Sequence, residues 1–201
     1  QWPYVEPQDP EAIDMLTEVY FDSGYDIRSM LRALFKSDFF RARESWYAKI
    51  KSPADLVAGT LRLTGEFPRP HPKLQLAAST MILMGQTLGN PPSVEGWHEG
   101  VEWIDTGNLV TRINFASTTF GDPGKPGIQD MIASLEANAD ALASPEQMVE
   151  GCLDQMGAVE VSDETRTALV DHASKLVSQP GEDQVAEMLR LVTSTPEFQR
   201  A

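Results

Sequence analysis

The chain has 201 residues, 41% of them hydrophobic, with a formal net charge of −14 and a sequence pI near 4.5. That length can bury a core in one large domain or two small ones, while the negative charge opposes nucleic acid and anionic lipid, which would repel such a surface before contact. No apolar run reaches the roughly 20 residues of a membrane helix, and the first residues lack the basic-then-apolar pattern of a secretory signal.

Asp9 followed by Pro10 predicts a capped helix start, with Ile13, Leu16, Val19 and Tyr20 on one stripe and Gly24 as its stop. Asp26 caps the next helix, where Ile27, Met30, Leu31, Leu34 and Phe35 share a face. Phe39, Phe40, Trp46 and Tyr47 suggest a third helix. Ser52 and Pro53 form an N-cap and first-position pair for a helix carrying Leu56, Val57, Leu61 and Leu63, which Pro68, Pro70 and Pro72 end. Residues 73–88 read as one buried helix. After a loop over residues 89–106, a helix starting near Thr106 carries Leu109, Val110, Ile113 and Phe115.

The tract GDPGKPG, residues 121–127, holds three Gly and two Pro and is the expected linker. It coincides with a shift in charge: residues 121–201 hold 15 acids and 5 bases, residues 1–120 hold 15 acids and 11 bases. Beyond it, Ser144–Pro145–Glu146–Gln147 reads as a capped start, residues 162–165 open another helix, and residues 179–181 turn the chain into a last helix with Val185, Met188, Leu189 and Val192. No segment alternates with period 2, so the expected fold is all-α. The expected architecture is a multi-helix bundle with a long Trp/Pro-containing loop. Its parts are a helical domain over 1–120, a linker over 121–127 and a helical subdomain over 128–201.

Two further features bear on partners and chemistry. Arg28, Arg32, Lys36, Arg41, Arg43, Lys49 and Lys51 face only Asp38 and Glu44, a local patch of +5 that reads as a solvated helix face, or as a dock for an acidic partner or for another part of the parent chain. Cys152 is the single cysteine, so no intrachain disulfide or cysteine-based metal site can form. Its apolar neighbours Met148, Val149, Leu153 and Met156 predict a buried packing thiol. A short internal echo links MLRALFKSDFF at 30–40 with MLRLVTSTPEF at 188–198; each reads as a helix whose end is pinned by a Phe folding back on its apolar face.

Residues 84–120, MGQTLGNPPSVEGWHEGVEWIDTGNLVTRINFASTTF, combine Gly-Gln, Pro-Pro, Gly-Trp, a second Trp and a helix with Arg112 and Asn114. With SDFF at 37–40, KIKSPADLV at 49–57 and STPEFQ at 194–199, this run resembles a bacterial family catalogued as domain of unknown function 1800. The resemblance covers nearly the whole chain and departs at Gly89, where many relatives carry an apolar or aromatic residue. It implies the C-terminal portion of longer, exported bacterial proteins, often encoded beside sulfatase-like proteins.

Candidate site residues lie in and after the Trp loop: Trp97, His98, Glu99, Glu102, Trp103, Asp105 and Arg112. The two Trp suit anchoring of a long loop or stacking of a sugar ring. Glu95, Glu99, Glu102 and Asp105 place four carboxylates within eleven residues, a donor set that can serve a hard cation if it converges or a glycosidase-like pair if two stand about 5.5 Å apart. Arg112 is expected to reach back to Glu102 or Asp105 as an ion pair. His71, His98 and His172 are scattered, and no phosphate cradle occurs, so no catalytic residue, metal or cofactor is assigned. The leading expectation is a non-catalytic helical structural or docking module of a larger exported protein, its partner the N-terminal part of the parent chain or another protein. A polysaccharide-acting hydrolase or lyase, or a carbohydrate-binding module using the Trp loop, is the alternative.

Overall fold

A computed structural model describes residues 9–43, 46–138, 140–157, 159–176 and 183–200. Among these are ten α-helices and no β-strand: α1 Pro10–Asp22, α2 Ile27–Lys36, α3 Asp38–Arg41, α4 Pro53–Leu63, α5 Leu74–Leu83, α6 Thr106–Phe120, α7 Pro126–Ala137, α8 Pro145–Gln155, α9 Asp163–Leu176 and α10 Asp183–Thr193. The expected all-α class is thus the observed one. The chain divides into two compact units, Gln1–Ile50 with Arg200–Ala201, and Lys51–Gln199. The division falls at residue 50, whereas the glycine-proline tract at 121–127 lies inside the second unit.

In the first unit, side-chain oxygens take up the free N–H groups that open each helix. Asp9 accepts from Ala12 N, Asp26 from Arg28 N and Ser29 N, and Ser37 from Phe40 N. Helix α1 packs on α2, and α2 on α3. Gly24 and Tyr25 both take positive φ, 69° and 70°, and Tyr25 packs edge-on against Tyr20 and Phe21 with centroids 5.3 and 5.7 Å away. The expected third helix is a single turn. Its Phe40 folds onto Phe35 at 5.0 Å, while Trp46 and Tyr47 fall in a turn, with Tyr47 at φ 51°. Ala12 is the one buried side chain among the described residues of this unit.

The second unit holds the core. Helix α10 packs against α6, α8 and α9, α8 packs on α9, and α4 packs on α5 and α6. Val57, Phe120, Ile128, Val149, Met188, Leu189 and Val192 are all sealed from solvent. Cys152 is buried among them as expected, and burial pushes its thiol up to about 12. Ser52 caps α4 in a reciprocal box with Asp55, and Ser144 caps α8 through Gln147 N.

The tract expected to be a linker is pinned to the end of α4. The Gly127 N–H donates to Thr64 O at 2.9 Å, and a Cβ on Gly127 would stand 2.1 Å from Leu63 O. Only glycine permits this approach. Lys125 adds an ion pair with Glu66. The turn expected at 179–181 lies outside the described residues.

Candidate functional site

Helix α5 is shorter than expected because Gly85 takes φ 94° and turns the chain at Met84. A Cβ at Gly85 would also meet Asn108 Nδ2 at 3.4 Å and Trp103 at 3.9 Å. Those are ordinary contact distances, so it is the positive φ that calls for glycine there. The Gln86 side chain, buried, accepts from Ala54 N at 2.8 Å and ties the start of the loop to α4.

The loop is fastened by its own side chains. Trp97, half-buried, donates its indole N–H to Thr87 O at 3.3 Å. A small turn closes between Ser93 and Gly96, and a 3₁₀ turn, Gly100–Trp103, carries Trp103 into the interior at 4% exposure. His98 meets Trp103 edge-on at 6.5 Å and contacts Glu102 through Nδ1 at 3.0 Å. Asp105 caps α6: its carboxylate accepts from Asn108 N and Asn108 Nδ2, both at 2.8 Å.

The carboxylates do not gather. Glu95, Glu99, Glu102 and Asp105 are exposed. Among the described residues no three His, Cys, Asp or Glu side chains come together in a way that could hold a metal. Glu102 is engaged by His98, and Asp105 by its cap.

Arg112 departs from the expected ion pair. It lies seven residues, about two turns or 10 Å of rise, beyond Asp105, and its side chain points inward, fully buried. Nε donates to Gln199 Oε1 at 3.1 Å and one terminal nitrogen donates to Lys51 O at 2.7 Å; the other terminal nitrogen is buried without a partner. Neither Glu102 nor Asp105 takes part. Burial, offset in part by Asp55, holds the guanidinium below its ordinary value, at about 10.

Lys51 completes the cluster. Its backbone N–H donates to Gln199 O at 2.9 Å, its ammonium donates to Phe198 O at 2.7 Å and sits 4.2 Å over the Phe198 ring. Burial first, and then the charge of Arg112, lower its pKa from 10.5 to about 8 against the pull of Asp55. Gln199 is held in turn by Thr193 O at 3.3 Å. Residue Glu197 of the same run accepts from Ser162 N and the Thr165 hydroxyl, both 3.0 Å, at the start of α9. Burial alone would raise the pKa of Glu197, but these hydrogen bonds and its own backbone N–H hold it below the ordinary value.

The sequence does not single out Gln199, and it presents Lys51 only as part of the basic patch over residues 28–51, whereas the Lys51 ammonium is tied to Phe198 O. The signal that joins them is their place in KIKSPADLV and STPEFQ, two runs that, with Arg112 from the Trp-loop run, converge on one buried knot. With its guanidinium sealed, Arg112 cannot meet a substrate from solvent. Its chemistry is that of a clamp between the first and last segments of this unit.

No curated protein and no solved structure matches the chain. The family model described as protein of unknown function (DUF1800) matches residues 3–200, and the chain belongs to that family.

Proposed function

We propose that this chain is a non-catalytic helical docking module of a larger exported bacterial protein, and that another part of the parent polypeptide covers it. Helix α5 carries the argument. Seven of its ten residues, Leu74, Leu76, Ala77, Ala78, Met81, Ile82 and Leu83, are apolar and spread all round its axis. A helix of that composition is stable in water when covered on every side. Yet only Ala77 is buried, while Leu76, Ile82 and Leu83 are 66, 53 and 69% exposed. Covering these three and Leu74 would stabilise by about 1 kcal/mol each, since full burial of such a side chain is worth about 1.5–3 kcal/mol.

The buried, unreactive Cys152 makes the test clean, because an introduced surface thiol is then the one that reacts. Leu83→Cys should label rapidly in the isolated chain and be protected at least tenfold in a longer parent polypeptide. Equal labelling rates in the two would refute a docking role for α5.

The alternative, a polysaccharide-acting enzyme or carbohydrate-binding module, rests on the partly open face of Trp97, with His98 and Glu99 beside it in sequence. Trp103 is buried and has no face to offer a sugar. Quenching of tryptophan fluorescence by soluble oligosaccharides, lost in Trp97→Ala, would favour that reading.

A further inference from the structure

A groove of about 690 Å³ lies between α4 and the side of α5 that carries Leu74, Ala78 and Met81, with Leu61, Phe67 and Leu88 completing its apolar lining; Leu83 lies outside it. Its charge sets it apart from the rest of the molecule. Between residues 56 and 94 of a chain of net charge −14 stand three bases, Arg62, Arg69 and Lys73, and a single acid, Glu66. Glu66 is already paired with Lys125. Arg62 lines the groove at the end of α4, Lys73 is the N-cap of α5, Arg69 lies in the proline-rich link between them, and all three side chains are exposed.

We infer that the groove receives an amphipathic helical segment with an apolar stripe flanked by acidic residues. This rests on the docking role proposed above and adds the chemistry of the occupant. The apolar floor takes the stripe at i, i+3 or i+4, and i+7, as helix-in-groove recognition requires. Arg62 on the lining, with Arg69 and Lys73 next in sequence to the lining residues Pro68 and Leu74, then selects acidic flanks and rejects basic ones. The ten residues of α5 span about 15 Å, so about three turns of the occupant find apolar cover.

The test uses the 201-residue chain and two fluorescein-labelled helical peptides of about four turns, each with the same leucine stripe, one flanked by Glu and the other by Lys. The acidic peptide should bind on the order of tenfold tighter at low salt, and the advantage should shrink as salt screens these bases. Arg62→Glu with Lys73→Glu, both at exposed positions, should invert the preference. Ala78→Gln, which sets a neutral polar side chain on the groove wall, should weaken both peptides at least tenfold. Equal affinity for the two peptides, tighter binding of the basic one, failure to bind either, or binding indifferent to Ala78→Gln would each overturn the inference. So would a dimer that Ala78→Gln dissociates, which would make the occupant a second copy. If Leu83→Cys is nevertheless protected in the longer polypeptide, the docking role stands and only the chemistry assigned to the occupant falls.

Discussion

Removing Arg112 tests whether the buried knot, rather than the Trp-loop carboxylates, organises this region. Burial lowers the pKa of its guanidinium to about 10, the mark of a desolvation cost. Two charge-assisted hydrogen bonds, to Gln199 Oε1 and Lys51 O, offset it at about 1.5–3 kcal/mol each. Arg112→Ala relieves the cost but loses both bonds and opens a cavity worth about 2–5 kcal/mol, so the net loss should be about 3–5 kcal/mol. Arg112→Met keeps most of the volume and should lose about 1–3 kcal/mol. Urea unfolding followed by far-ultraviolet circular dichroism, with an unchanged slope, measures both. A double-mutant cycle of Arg112→Ala with Gln199→Ala should give a coupling of about 1–2 kcal/mol, whereas cycles with Glu102→Ala or Asp105→Ala should be additive within about 0.5 kcal/mol. A loss below about 1 kcal/mol for Arg112→Ala, or coupling to Glu102 or Asp105 instead, would refute the reasoning.

Trp103→Ala should cost about 3–5 kcal/mol because its ring is buried, and Trp97→Ala about 1–2 kcal/mol for a half-buried ring and one hydrogen bond; thermal melts of the two variants should separate in that order. Lys51, with a folded pKa near 8 against 10.5 for the free side chain, leaves the unfolded chain binding more protons between those values. Stability should therefore rise with pH across that window, by about 1–2 kcal/mol once solvent screening of a partly exposed group is allowed for. Lys51→Met should remove that dependence, and a wild-type curve that is flat or falls from pH 8 to 10 would contradict the assignment. Proteinase K, which needs no basic residue, should spare the 121–127 tract, held by the Lys125–Glu66 pair and by Gly127 N–H bonded to Thr64 O, under conditions that cleave exposed loops; early cleavage within the tract would show that it is loose.

The helices themselves were legible in the sequence, because their causes are local. Asp9, Asp26, Ser52, Asp105 and Ser144 cap within three residues of themselves, and Pro and Gly mark the breaks. Burial was not legible, and the internal echo shows why. Met188, Leu189, Val192 and Phe198 of MLRLVTSTPEF are fully or almost fully buried, while in MLRALFKSDFF Leu31, Phe35 and Phe40 are 40, 55 and 47% exposed. The two runs have the same pattern and the same local physics. What separates them is whether neighbouring helices lie over the face, as α6, α8 and α9 do over α10, and periodicity within one segment carries no information about that. The same limit governed the site. Asp105 and Arg112 look like partners because they are near in sequence, but a capping aspartate points at its own helix start, and a side chain two turns on faces wherever the helix packs. Only tertiary structure could bring Lys51 and Gln199, 148 positions apart, to the guanidinium.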